Sequence, residues 1–100
     1  MQLPLLLLLR QNRPCRPCSI LAVCQRGRKA LAITADLGFA DQADRAVEET
    51  IKKFGRIDIL MNNCAEQHVV EDFADISPEQ IERTFRSNIF SYLFVTRAAL

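Results

Sequence analysis

Ile57-Asp58-Ile59-Leu60-Met61-Asn62-Asn63-Cys64-Ala65 decides how the rest of the chain is read. A short apolar run closed by two asparagines and small residues has the form of a buried parallel strand. Such strands are covered on both faces and read as near-continuous hydrophobics. In open α/β sheets, ligands bind beyond the carboxyl ends of the strands. Asn62 and Asn63 stand at that end, where their amides offer both donors and acceptors. A turn that uses asparagine for its tolerance of left-handed backbone accounts for the pair equally well.

Upstream, Leu31-Ala32-Ile33-Thr34-Ala35-Asp36 reads as a strand and Leu37-Gly38-Phe39 as a loop. Asp41 suits a helix cap, with Asp44 in the first turn, where anions complement the helix dipole. Ala43, Val47 and Ile51 then share a stripe, Lys52 and Lys53 close the last turn, and Gly55 stops the helix. A helix of about 13 residues runs ~20 Å, and a strand of about six residues runs ~20 Å as well. The helix therefore returns the chain to start 57–62 parallel to 31–36. The expected product is one βαβ unit with a right-handed crossover.

Downstream, 64–76 reads as a loop, and Ser77-Pro78-Glu79-Gln80 opens a helix: Ser as cap, Pro at the first position, Gln three residues on. This helix continues to the end of the chain. Ile81, Phe85, Asn88, Tyr92 and Ala99 fall on one stripe, and from Phe90 onward Leu93, Phe94 and Ala98 make a second apolar face. Polar early and apolar later, it is expected to be buried late. Asn88 on the apolar stripe is either a satisfied core amide or a functional one.

One hundred residues suffice for one domain, and 49% apolar with 25% charged is a soluble globular balance. A net charge of +1 gives no case for nucleic acid or an anionic membrane as partner. Residues 1–29 form an atypical leader. Its leucine run, ended by Arg10, is too short to span a bilayer. It also lacks the charged start and cleavage site of a signal peptide. Pro14 and Pro17 make the next stretch irregular, and 19–24 is apolar enough to be a strand. Cys15, Cys18, Cys24 and Cys64 do not form the framework of a small secreted fold, which points to a reducing, cytoplasmic setting. Cys15-x-x-Cys18 with Cys24 falls short of paired four-ligand zinc spacing. The one histidine, His68, lies far away, so no metal site is expected.

Residues 28–100 resemble the short-chain dehydrogenase/reductase superfamily from its third strand to its fifth helix. The resemblance rests on Asp36-Leu37 ending one strand, Asn62-Asn63-Cys64-Ala65 ending the next, and Asn88 in Arg-Ser-Asn-Ile-Phe. Glu66-Gln67-His68 is similar to the glucose/ribitol dehydrogenase-like branch. The resemblance implies part of a Rossmann-type, doubly wound parallel sheet. It implies a cofactor, NAD or NADP, with Asp36 accepting from the adenine amino group, the Leu37 backbone beside it, and Asn62, Asn63, Cys64 and Ala65 shaping the ribose pocket. Asn88 would belong to the catalytic tetrad and hold a water in a proton relay to a lysine. The substrate would be a small alcohol or carbonyl compound, and intact relatives would pair as homo-oligomers, often through the last helix. In the family's sheet order the two strands lie three spacings, about 14 Å, apart. Cys64 and Ala65 replace an alanine and a glycine of the family pattern.

The family chemistry also needs a tyrosine with a lysine four residues later. Here Tyr92 is followed at that spacing by Thr96. The phosphate loop needs closely spaced glycines, whereas Gly27, Gly38 and Gly55 are far apart. The sequence thus reads as a fragment of an oxidoreductase that is inactive alone. The alternative is a non-catalytic interaction module docking through its apolar C-terminal helix.

Overall fold

The computed structural model describes residues 7–10, 25, 27 and 29–100. Strand β1 (Leu7–Arg10) pairs in parallel with β2 (Leu31–Thr34), with Leu7 opposite Leu31 and Arg10 opposite Thr34. The residues between them, 11–30, exceed the dozen or so that a parallel crossover needs. The expected strand at 19–24 and Cys15, Cys18 and Cys24 lie outside the described residues.

The parallel partner of β2 is thus the leucine run of the leader, and the expected βαβ unit is corrected because its second strand, 57–62, is not formed. Residues 57–62 carry no regular secondary structure. A ladder needs a neighbour of matching direction, and among the described residues no strand lies beside this segment. Its burial still alternates from Leu60 to Glu66, with Leu60, Asn62, Cys64 and Glu66 inward and Met61, Asn63 and Ala65 outward. That period of two is an extended chain with one face covered, where cover on both faces was expected. Ile57, Leu60 and Cys64 touch the core, while Ile59 and Met61 are exposed.

Helix α1 (Ala40–Phe54) starts one residue before Asp41, so Asp41 lies in the first turn and is not the cap. Gly55 ends it at φ 84, a left-handed conformation a side chain would strain. The buried stripe is Ala43, Ala46, Val47 and Thr50, with Ile51 exposed. Arg45 and Lys53 reach from α1 to the carbonyl oxygens of Thr34 (3.3 Å) and Ala30 (2.9 Å), which fastens the helix along β2.

After one 3-10 turn (Phe73–Asp75), Ser77 caps α2 (Pro78–Phe85) by accepting from the Gln80 N–H, as the sequence signature requires. The helix then widens into a π-turn over Arg86–Phe90 and resumes as α3 (Ser91–Ala99). The inward stripe is Ser87, Ser91 and Val95; Ile81 and Phe85, expected inward, are exposed. Helix α3 packs on α1, with Val95 in one cluster with Ala43, Ala46 and Val47. Two of the buried hydroxyls are satisfied along their own helical runs, Thr50 on the Ala46 carbonyl and Ser91 on the Ser87 carbonyl. The core of the described residues is Ile33, Ala35, Leu37, Ala43, Ala46, Val47 and Val95.

Candidate functional site

Asp36 leaves β2 at its carboxyl end. Its N–H donates to Gln42 Oε1 (2.7 Å), and its Oδ1 accepts from the Gly38 N–H (3.1 Å). The Phe39 N–H donates to the Asp36 carbonyl at 3.3 Å, so the loop folds on itself and starts α1. Leu37 turns into the core. Gly38 faces the π-turn so closely that a Cβ there would lie 2.9 Å from Arg86 Cβ and 3.0 Å from its carbonyl oxygen. Arg86 donates to the Gly38 carbonyl (3.3 Å), pairs with Glu82 (2.8 Å), and stacks over the Phe39 ring at 4.6 Å. Asp36 and Phe39 face Glu82, Arg83, Arg86 and Ser87 across a half-open cleft of about 240 Å³.

The second loop is 62–66. Asn62 Nδ2 donates to Thr96 Oγ1 at 3.1 Å, tying the end of the extended segment to α3. Cys64 packs against the core, and burial pushes its thiol pKa up. Asn63 and Ala65 are exposed. Asn88, on the π-turn, grips the main chain of Glu66 at two points: Oδ1 accepts from the Glu66 N–H (2.8 Å), and Nδ2 donates to its carbonyl (3.0 Å). π-turns inside helices often mark functional sites.

The Glu66 carboxylate is held as firmly as its backbone. Arg83 reaches it with Nε at 3.0 Å from both oxygens and Nη2 at 2.9 Å from Oε1. Ser87 Oγ donates to Oε2 at 2.9 Å, and His68 Nε2 lies 3.3 Å from Oε1. The Arg83 hydrogen bonds, with that of Ser87 and the nearby charges of Arg83 and His68, hold the carboxyl at about 2 against partial burial, which opposes them. A carboxylate lowered from its ordinary 4.5 stabilises the fold above that pH and loses this contribution as pH falls toward 2. The thermal midpoint is therefore expected to drop through that window. Glu66→Gln should flatten the drop by a few degrees only, because exposed ion pairs are weak. Calorimetric scans at stepped pH check this.

The structure thus joins Asn88 to the loop after Asn62-Asn63, and joins Asp36 to the π-turn through Gly38 and Arg86. It does not place 62–65 in the cleft beside Asp36. Sequence reasoning missed Glu66, Arg83, Ser87 and Arg86 as site residues. Arg83 and Ser87 at i, i+4, next to Asn88, were the available signal. Among the described residues no group of side chains is arranged to hold a metal ion, and no helix is long and apolar enough to cross a membrane.

Parallel pairing, a helix fastened along the strand, and polar side chains gathered beyond its carboxyl end define an α/β protein. The chain belongs to the short chain dehydrogenase family, whose profile matches residues 5–100. That match takes in β1, which the resemblance over 28–100 leaves out. Over 73 residues the chain is 48% identical to NADPH-dependent aldehyde reductase 1, chloroplastic, of Arabidopsis thaliana, covering 73% of this chain and 25% of that protein. It is 49% identical over 70 residues to the glucose and ribitol dehydrogenase of Daucus carota, covering 70% and 24%. The second fits the branch that Glu66-Gln67-His68 pointed to. A crystal structure of a short chain dehydrogenase from Burkholderia cenocepacia in complex with NADP superposes with a TM-score of 0.85 at 24% identity. It covers 93% of this chain and 38% of that one, and carries the likeness of fold alone. The chain spans about a quarter of the length of the curated relatives it matches.

Proposed function

We propose that this chain carries the adenosine edge and the asparagine-bearing helix of an NAD(P)-dependent oxidoreductase, and that alone it does not turn over substrate. The observation that carries the reading is the two-point grip of Asn88 on Glu66, directly after Asn62-Asn63-Cys64-Ala65. In this reading β2 holds the third-strand place of a doubly wound sheet, β1 the second, and 57–62 the fourth.

The residues present fit one end of the cofactor. The cleft beside Asp36 is smaller than the ~300–1,000 Å³ of a drug-sized ligand site, which suits a single ring system. Asp36, at the edge of the cleft, would accept from the adenine amino group. The Leu37 backbone flanks the ring. Asn62, Asn63, Cys64 and Ala65 shape the ribose pocket. The pyrophosphate end does not fit, because no closely spaced glycines supply its amide cradle. When bound, the nicotinamide supplies hydride chemistry toward an alcohol or carbonyl. This chain's part is to orient: Asn88 holds the strand-end loop and, with its remaining amide capacity, a water of the proton relay. A reducing, cytoplasmic setting belongs to this reading, since Cys15, Cys18, Cys24 and Cys64 do not form the framework of a small secreted fold.

Calorimetric titration of the purified chain with NADPH and NADH tests this. The expected result is binding weaker than about 1 mM, equivalent to less than ~4 kcal/mol, with no turnover of small aldehydes or polyols. Micromolar affinity or measurable turnover would overturn the incompleteness.

One observation favours a second reading. Ile81, Phe85, Ile89 and Leu93 form an apolar row at i, i+4 spacing and are 46%, 48%, 43% and 62% exposed. A non-catalytic module that docks a second copy of this chain along that row would bury it. Sedimentation velocity should then show a concentration-dependent dimer that Phe85→Glu with Leu93→Glu abolishes; a monomer at all concentrations would exclude this reading.

A further inference from the structure

Glu66 marks a branch in the sequence, yet nothing in the proposed chemistry uses its carboxylate. We propose that Glu66 is a positioning residue: its side chain, anchored to Arg83 and Ser87, fixes the peptide that orients the Asn88 amide. This rests on the reading of Asn88 as a site residue given above.

An asparagine amide presents a donor on one side and an acceptor on the other. Turned over, Asn88 would set Nδ2 against the Glu66 N–H and Oδ1 against its carbonyl, so only the observed orientation satisfies both. That orientation is fixed only while the Glu66 peptide stays in place. Residues 61–70 carry no regular secondary structure, so no ladder holds it. The side chain supplies the missing hold through the Arg83 fork at 2.9–3.0 Å and the Ser87 hydroxyl at 2.9 Å. Arg83, Ser87 and Asn88 belong to one continuous helical run. Residue 66 is therefore pinned to that run by its carboxylate and by its backbone at once, and it cannot shift without breaking both. A planar guanidinium meeting both oxygens fixes direction as well as distance. The Arg83 side chain is 60% exposed against 21% for Glu66, so solvent screens the pair from one side and it adds little to global stability. Its consequence is local order.

The test is solvent exchange in the 15N-labelled full chain, read at the Glu66 N–H and the Asn88 side-chain amide. In Glu66→Gln and Arg83→Gln both should exchange at least tenfold faster. The amides of Ala46 and Val47, which report opening of the α1 core, should stay unchanged. Glu82→Gln, which removes the other exposed carboxylate partner on this helix, should leave Glu66 and Asn88 as they were. Exchange within twofold of the parent in both Glu66→Gln and Arg83→Gln, with the fold intact, would overturn the proposal. Should those two variants not fold, Ser87→Ala removes a single bond to the same carboxylate; a severalfold rise supports the proposal and no rise overturns it. The measurement needs no cofactor, so its failure stays distinct from failure of the titration described above.

Discussion

Leu37→Ala is expected to abolish the cooperative unfolding transition of this chain. Leu37 is 2% exposed and, with Val95, one of the largest fully buried side chains among the described residues. Three of the seven core members, Ala35, Ala43 and Ala46, are alanines, so few large side chains carry the burial. Leu→Ala in a core costs about 2–5 kcal/mol, more where the walls cannot collapse. Small domains hold margins near the low end of about 5–15 kcal/mol. The loss therefore takes most of the margin. Leu93→Ala on the exposed face is the control and should stay within about 0.5 kcal/mol of the parent. Urea titration by circular dichroism reads both; a Leu37→Ala midpoint equal to the Leu93→Ala midpoint would refute the account of the core.

Gly38→Ala should produce the second-largest effect, by crowding instead of a cavity. An added Cβ would stand 2.9 Å from Arg86 Cβ and 3.0 Å from the Arg86 carbonyl oxygen. Real Cβ atoms do not approach so near, and the obstacle includes backbone, so the 36–39 loop and the π-turn must separate. Overpacking of this kind costs about 1–3 kcal/mol. The parting also breaks the Arg86 bond to the Gly38 carbonyl and unstacks Arg86 from Phe39. The expected result is a lower denaturation midpoint with an unchanged slope, together with displaced resonances for Phe39 and Arg86. A parent-like midpoint with unmoved resonances would show that the loop has slack that the geometry denies.

Both substitutions bear on the same junction. Three consecutive residues of the π-turn each hold something different: Arg86 the loop after β2, Ser87 the Glu66 carboxylate, Asn88 the Glu66 backbone. The two loops that line the carboxyl edge are thus tied to one widened turn of helix.

The sequence by itself determined what local hydrogen bonding dictates. Ser77, Pro78 and Gln80 announced the start of α2, Gly55 the end of α1, and 31–36 a strand that forms over Leu31–Thr34, because caps and strand propensity act over three or four residues. It also singled out Asp36, the double asparagine and Asn88 through a resemblance to the family to which the chain belongs. Only the tertiary structure decided the pairings. β2 took the leucine run as its neighbour, 57–62 stayed extended without a ladder, and the helix turned Ser87, Ser91 and Val95 inward in place of Ile81 and Phe85. Ladder partners and buried faces depend on which surfaces distant segments bring together. Apolar periodicity shows that a face exists but not what will cover it, and closely approaching helices favour the small side chain over the greasy one.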